Sequence, residues 1–151
     1  MGDEARRFFD EFARAATGQD AEDLAGFYDD GVVHAQPGES DVFRNDARHR
    51  KWLASHLARS RRQGLREMTA IEVGGFDLGP GFLLATVRWR AGFAQSSAEW
   101  VSSYLLRRAE DGLRIAFTCD HEAMDDVLRR AGVARPVRRR VPAKAPKPEV
   151  R

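Results

Sequence analysis

The sequence predicts an α+β domain in which helices come first and an antiparallel sheet follows. Three observations support this prediction. Apolar and polar residues alternate, as they do in half-buried strands, in the three segments Phe82–Phe93, Ser97–Arg108 and Gly112–His121. Short turn sequences separate these strands, which indicates hairpins. The residues before Phe82 contain three helical patterns, and helices that are segregated from a meander of strands are typical of the α+β class.

Helical spacing of apolar residues predicts the helices. The first covers Asp3–Thr17, where phenylalanines and alanines recur on one stripe. The second is shorter, Ala21–Tyr28, with Asp20 as its N-terminal cap. The third and longest, Asp46–Gln63, carries basic residues on its outer face, and a final short helix is expected at Glu122–Ala131. The inward stripe of the third helix is His49, Trp52, Leu53, His56, Leu57 and Ser60.

The remaining strands are predicted from short runs bounded by turn residues. Val32–Gln36 is a strand that ends at Pro37-Gly38, and Glu39–Arg44 is expected to be a loop. Leu65–Val73 is a strand, and the glycine-rich segment behind it leads into Phe82. The sheet is therefore expected to have four antiparallel strands joined by hairpins, with a short strand before them.

Length and composition indicate one folded domain followed by a tail. The chain has 151 residues, of which 42% are hydrophobic, and it contains no run of roughly 18–20 apolar residues that could span a membrane. No secretory signal is recognisable at the N-terminus. The single cysteine, Cys119, excludes an internal disulfide and fits a reducing compartment. We therefore expect a cytoplasmic protein with no membrane partner.

Residues 135–151 are predicted to be a basic, disordered tail. They hold seven basic residues against one acidic residue, and four of the six prolines. The chain has a net charge of +2, so subtracting the +6 of the tail leaves −4 for the domain, residues 1–134. A mildly acidic domain gives no reason to expect nucleic-acid binding outside the tail.

Three segments carry a resemblance to a known family. They are Phe8-Phe9-Asp10-Glu11-Phe12 on the first helix, Leu24–Val33 across the second helix and first strand, and Asp111-Gly112-Leu113-Arg114-Ile115 at the start of the last strand. With the order of elements, they resemble the nuclear-transport-factor-2-like superfamily and, within it, the SnoaL-like group. The resemblance covers Asp3–Val133.

The resemblance implies a cone-shaped curved antiparallel sheet wrapped around the long helix, with the N-terminal helices covering the concave face. Such a cone has an apolar interior that is open at one end and needs no cofactor. Relatives of this kind include ketosteroid isomerases, polyketide cyclases, dehydratases and non-catalytic binding or assembly domains. The fold alone therefore does not select a function.

The catalytic residues of these relatives can be compared with this sequence one by one. The steroid isomerases have a tyrosine on the first helix, where this chain has phenylalanines, and an aspartate before the proline that ends the first strand, where this chain has Gln36. The cyclases use an aspartate late in the sheet, and Asp120 lies in that region. Strict alternation, however, places Asp120 on the face opposite Ile115 and Phe117, which are expected in the core.

Two residues are candidates for proton transfer and five for ligand binding. His34 lies on the first strand, and its ordinary pKa of ~6.5 suits acid–base chemistry near neutral pH; Asp120 is the second candidate. His56 faces inward beside Trp52 and is either a pocket residue or a hydrogen-bonded core histidine, whereas His49 is expected to be more exposed. The spacing of His49 and His56 is wrong for a metal pair, and no metal is expected. The ligand-binding candidates are Tyr28, Trp52, His56, Trp100 and Tyr104.

Two functions follow from these residues. The first is binding of a small hydrophobic, ring-containing or polyketide-like molecule by a homodimer, with acid–base isomerase, cyclase or dehydratase chemistry as its catalytic form. The second is a non-catalytic, dimeric assembly module that uses the open face of the sheet. Trp89, Trp100 and Tyr104 bear on the choice, because they line a pocket if they face the helices and a dimer surface if they face away.

Overall fold

The computed structural model describes residues 2–133, and the predicted tail, residues 135–151, lies outside them. Four helices and six strands occur in these described residues. The helices are α1 (Gly2–Ala16), α2 (Ala21–Ala25), α3 (Ala47–Arg62) and α4 (Met124–Arg130). The strands are β1 (Tyr28–Gln36), β2 (Glu39–Arg44), β3 (Glu67–Asp77), β4 (Phe82–Gly92), β5 (Ser97–Ala109) and β6 (Gly112–Asp120).

The strands form one curved, unclosed sheet in the order β2-β1-β6-β5-β4-β3. Strands β3 to β6 are an antiparallel meander, and this part of the prediction is confirmed. Strand β1 extends the sheet by pairing with β6 in parallel, which the sequence did not predict. Together with the helices, the sheet gives the expected α+β cone-like architecture.

The segment Glu39–Arg44 is a strand, so the expectation of a loop was wrong. Gly38 has a φ of +87°, which lets the chain turn back directly after β1. Strand β2 then pairs with β1 in antiparallel register, from Gln36 opposite Glu39 to Gly31 opposite Arg44. Most of its side chains are exposed at the edge of the sheet, and an edge strand of this kind lacks the apolar alternation that identifies a half-buried strand.

Aromatic side chains of α1 fill much of the concave face. Phe9 is fully buried, and its ring centroid lies 5.9 Å from that of Trp89 and 4.7 Å from that of Tyr104. Trp89 and Tyr104 therefore face the helices rather than the outer surface. Trp100 is half-buried and packs against the same core cluster. Most of the cone is filled by the chain itself, and open space remains at one end.

Helix α3 packs against the core with few residues. Asp46 caps its N-terminus by accepting a hydrogen bond from the backbone N–H of His49. Its buried residues are His49, Leu53 and Leu57, and both leucines belong to the cluster that contains the sheet residues. Within residues 2–133, no helix combines the length and apolar character needed to cross a membrane.

A β-bulge in β6 changes which side chains reach the concave face. Leu106 pairs with Ile115, but the preceding residue, Leu105, pairs with Phe117, so Ala116 is an extra residue in β6. Beyond the bulge the alternation is reversed. Asp120 consequently lies opposite the buried Ser102, and the expectation that it lies on the face opposite Ile115 was wrong.

Candidate functional site

His34, Asp120 and Ser102 form a connected group on the concave face. Nε2 of His34 lies 2.9 Å from Oδ2 of Asp120, and the Ser102 hydroxyl donates a hydrogen bond of 2.6 Å to Oδ1 of the same carboxylate. Asp120 is 7% exposed and Ser102 is fully buried. Since both carboxylate oxygens are engaged, the orientation of Asp120 towards His34 is fixed.

The surroundings of this group favour a protonated His34. The hydrogen bond to Asp120 raises the pKa of His34, partial burial opposes this, and the charges of Asp120, Asp41 and Glu39 raise it further. Burial raises the pKa of Tyr28, and the charge of Asp120 adds to this effect. The site therefore holds an imidazole whose protonated form is favoured and, near Asp120, a tyrosine that stays neutral.

A cleft of about 510 Å³ opens beside His34. It lies between the β1–β2 hairpin and the first turns of α3. Its volume is in the range of small-molecule sites, ~300–1,000 Å³. The residues that line it are His34, Asp41, Val42, Phe43, Arg44, Asp46, Arg48, His49 and Trp52.

The helix side of the cleft contains a column of stacked rings. The centroids of Phe43 and His49 are 4.2 Å apart, those of His49 and Trp52 5.9 Å, and those of Trp52 and His56 5.3 Å, with the rings nearly parallel in each pair. Trp52 remains 55% exposed. Three members of the column line the cleft, which gives it a flat aromatic wall.

The two histidines of this column are held neutral. Burial, followed by the charges of Arg59 and His34, lowers the pKa of His56 to about 4. Burial also lowers the pKa of His49. His49 is only 7% exposed, so the expectation that it is the more exposed of the two was wrong: its ring is enclosed by Phe43 and Trp52, which the strand β2 and the helix supply.

The structure brings some of the predicted site residues together and separates others. His34 and Asp120 are in contact, and Trp52 and His56 are stacked beside the same cleft. Tyr28 packs against Phe43 and His49 behind it.

Two of the predicted ligand-binding residues lie elsewhere. Trp100 lines a separate depression of about 400 Å³. Tyr104 is 4% exposed and accepts a hydrogen bond from Trp89. The ligand contacts proposed for these five residues stay predictions.

Sequence reasoning did not identify Ser102, Phe43, Arg44 or Arg48 as site residues. The serine is found only through the register that the bulge sets, and the other residues are found only once β2 is known to be a strand. Among residues 2–133, no three His, Cys, Asp or Glu side chains are arranged to hold a metal ion.

The fold agrees with a comparison of this chain with family models. A family model described as an NTF2-like protein (DUF6841) matches residues 3–123. The chain belongs to this NTF2-like family. The predicted kinship with the nuclear-transport-factor-2-like superfamily is thereby confirmed, whereas the narrower SnoaL-like assignment stays a prediction. No curated protein matches this NTF2-like chain.

Solved structures similar to this NTF2-like protein share its fold at low identity. An NTF2-like protein of unknown function from Shewanella oneidensis is 15% identical, with a TM-score of 0.60 over 80% of this chain and 98% of that one. A ketosteroid isomerase-like protein from Erwinia carotovora atroseptica is 16% identical, with a TM-score of 0.56 over 80% and 94%. A protein of ketosteroid isomerase-like fold from Catenulispora acidiphila, in complex with trimethylamine, is 14% identical, with a TM-score of 0.53 over 84% and 93%. Identities this low establish the fold alone.

Proposed function

We propose that this protein binds a small hydrophobic, ring-containing molecule in the cleft beside His34 and transfers a proton to or from it. In this proposal, His34 carries the proton. Asp120 orients the imidazole and stabilises its protonated form. The reaction class is acid–base isomerisation, cyclisation or dehydration of a carbonyl compound, as in the SnoaL-like group, without a cofactor and in the cytoplasm.

The contact between His34 and the buried Asp120 carries the proposal. Asp120 is 7% exposed and hydrogen-bonded at both carboxylate oxygens. Burying a carboxylate in this way is costly. A purely structural role would not require its partner to be a histidine at the wall of a cleft. The same arrangement of a buried carboxylate behind an imidazole fixes the tautomer and orientation of catalytic histidines.

The ring wall supports the proposed class of ligand. Phe43, His49 and Trp52 present aromatic surface along one side of the cleft, and the half-exposed Trp52 is able to cover a ligand at the mouth. His34 lines the same cleft. A planar molecule seated against the rings would therefore have its reactive atoms close to the imidazole.

The binding half of the proposal is tested with 2-naphthol and nuclear magnetic resonance. We expect saturating 2-naphthol to shift the resonances of His34, Phe43 and Trp52 and to leave the outer-face residues Ser103 and His121 unchanged. At a concentration of 100 Kd, the ligand would stabilise the fold by about 2.7 kcal/mol. Trp52→Ala would weaken binding. Shifts confined to the outer face, or none at all, would refute binding in this cleft.

The chemical half is tested with 2-tetralone in heavy water. The protein would accelerate exchange of the acidic C–H protons next to the carbonyl for deuterium, because His34 removes one proton and returns a solvent deuteron. We expect His34→Gln to abolish this acceleration while retaining binding of 2-naphthol. Exchange that proceeds equally fast with the variant would contradict the role of His34.

A second candidate function is supported by the outer face of the sheet. Six apolar side chains there form one row across all six strands, each paired directly with the next. Their exposure reaches 81% at Val42 and 64% at Phe76. Val42, Phe76 and Leu84 are exposed and the other three are partly buried. A continuous apolar row of this kind suits a second copy of the chain in a dimeric assembly module. The row is Phe76, Leu84, Leu105, Phe117, Val33 and Val42.

This second proposal predicts a dimer in solution. Sedimentation would give twice the 17.0 kDa mass of the chain, and Phe117→Glu or Leu84→Glu would give the mass of one chain, because each places a charge in the apolar row. Ile71→Glu is the matched control, since Ile71 is also an exposed apolar residue but lies outside the row. A monomeric wild type, or equal dissociation by the control, would exclude this interface.

A further inference from the structure

We propose that the ligand of the cleft is a ring-bearing anion, a hydrophobic carboxylic acid, whose carboxylate binds between Arg44 and Arg48 at the mouth. This inference rests on the proposed binding function and names the class of ligand. Its basis is two arginines at the cleft without a partner in the described residues and one buried polar atom of the cleft wall that is unpaired.

Two arginines at the cleft have no partner within the described part of the chain. Arg44 ends β2, Arg48 lies in the first turn of α3, and both residues line the cleft. Both residues are exposed, and neither has an ion pair or side-chain hydrogen bond with residues 2–133. Guanidinium groups bind carboxylates through two parallel N–H donors.

Two carboxylates, Asp41 and Asp46, line the same cleft. Asp46 accepts the hydrogen bond from the backbone N–H of His49 that caps α3, at 3.1 Å. The charge of Asp41 acts on His34, whose pKa it helps to raise. Neither acid forms an ion pair with Arg44 or Arg48 within the described residues, so both guanidinium groups are available to bind an anion.

A polar atom of the ring column also lacks a partner. His49 lines the cleft and is 7% exposed, and its Nε2 has no hydrogen bond to any residue of the described range. An unpaired buried nitrogen is unfavourable in the empty cleft. A carboxylate oxygen of a ligand seated against Phe43 and Trp52 would provide the missing partner.

The test compares 2-naphthoate with 2-naphthamide by isothermal titration calorimetry on the full chain near pH 7.5. The two probes share the same rings and differ in charge. We expect 2-naphthoate to bind about tenfold more tightly, the effect of one charge-assisted hydrogen-bonded contact. Raising sodium chloride from about 50 to 500 mM would remove most of this difference, because the arginines are exposed and screened.

Two variants test whether the arginines cause the tighter binding of 2-naphthoate. Arg44→Gln with Arg48→Gln would reduce 2-naphthoate binding about tenfold and leave 2-naphthamide binding unchanged. Arg66→Gln with Arg90→Gln is the control, since it removes the same number of charges from two exposed residues that do not line the cleft. Equal effects of the control and of the double variant would overturn the assignment to Arg44 and Arg48.

The outcomes separate this inference from the proposed function. If 2-naphthoate and 2-naphthamide bind equally well, the cleft accepts rings but has no anion subsite, and only the present inference fails. If neither probe binds and 2-naphthol does not bind either, the proposed binding function fails with it. A tenfold preference that persists in the double variant would place the anion elsewhere and refute the site.

Discussion

Asp120→Asn is expected to destabilise the fold by about 2 kcal/mol near pH 6 and to lower the pKa of His34. The variant keeps the shape of the side chain but removes the charge that faces His34 at 2.9 Å and accepts from Ser102 at 2.6 Å. Hydrogen bonds to charged groups contribute roughly 1.5–3 kcal/mol, and partial exposure of His34 reduces its share. Urea unfolding gives the free energy, and the imidazole resonances of His34 give its pKa.

The control for this prediction is Asp111→Asn. Asp111 pairs with Arg114 at the surface, where its side chain is 72% exposed, and exposed pairs of this kind contribute about 0–1 kcal/mol. The role assigned to Asp120 would be wrong if both variants lost the same small amount of stability, or if the pKa of His34 stayed the same in Asp120→Asn.

The difference in stability between the wild type and Asp120→Asn depends on pH with a defined sign. The folded pKa of His34 is raised above its ordinary value of 6.5, so the folded state binds the proton more tightly than the unfolded chain does. The stability that this provides is complete below pH ~6.5 and is lost as the pH rises through the folded pKa. The wild type and Asp120→Asn should therefore differ most near pH ~6, and in alkaline solution the difference should fall to the part that the hydrogen bond from Ser102 contributes.

Leu53→Ala is expected to cost about 3 kcal/mol, within the range of roughly 2–5 kcal/mol for buried leucines. Leu53 is 1% exposed, and helix α3 has only Leu57 and His49 as further buried residues. Loss of this side chain would loosen one wall of the cleft. We therefore expect weaker binding of 2-naphthol in addition to a lower midpoint of urea unfolding.

Ser55→Ala is the matched control on the same helix. Ser55 is exposed on the face of α3 that points away from the core, and substitutions at such positions usually change stability by less than about 0.5 kcal/mol. Equal stability of Leu53→Ala and Ser55→Ala would show that α3 is not anchored by its leucines, and the geometry of the cleft would then need revision.

The helices and the meander were predictable from sequence because each has a local signal. The alternation of Leu83, Ala85, Val87 and Trp89 identifies the buried face of β4, and all four are fully buried. The cap at Asp46 marks the start of α3. Signals of this kind depend on neighbours in the chain, so one sequence is enough to read them.

The parts that could not be predicted depend on contacts between distant residues. Strand β2 is an exposed edge without apolar alternation, and the parallel pairing of β1 with β6 joins segments about 85 positions apart. Ser102 has no motif around it and acquires its partner only through the register of β5 and β6. The candidate site was thus identified at His34 and Asp120 but not in the residues that hold them.

The extra residue Ala116 has a consequence for how relatives of this chain are compared. Without it, the carboxylate of Asp120 would emerge on the opposite side of the sheet, although no residue of the site had been replaced. Deletion of a single codon is therefore sufficient to abolish the contact between His34 and Asp120 during divergence. A homologue with a histidine and an aspartate at the aligned positions shares this contact only if it also retains the extra residue in β6.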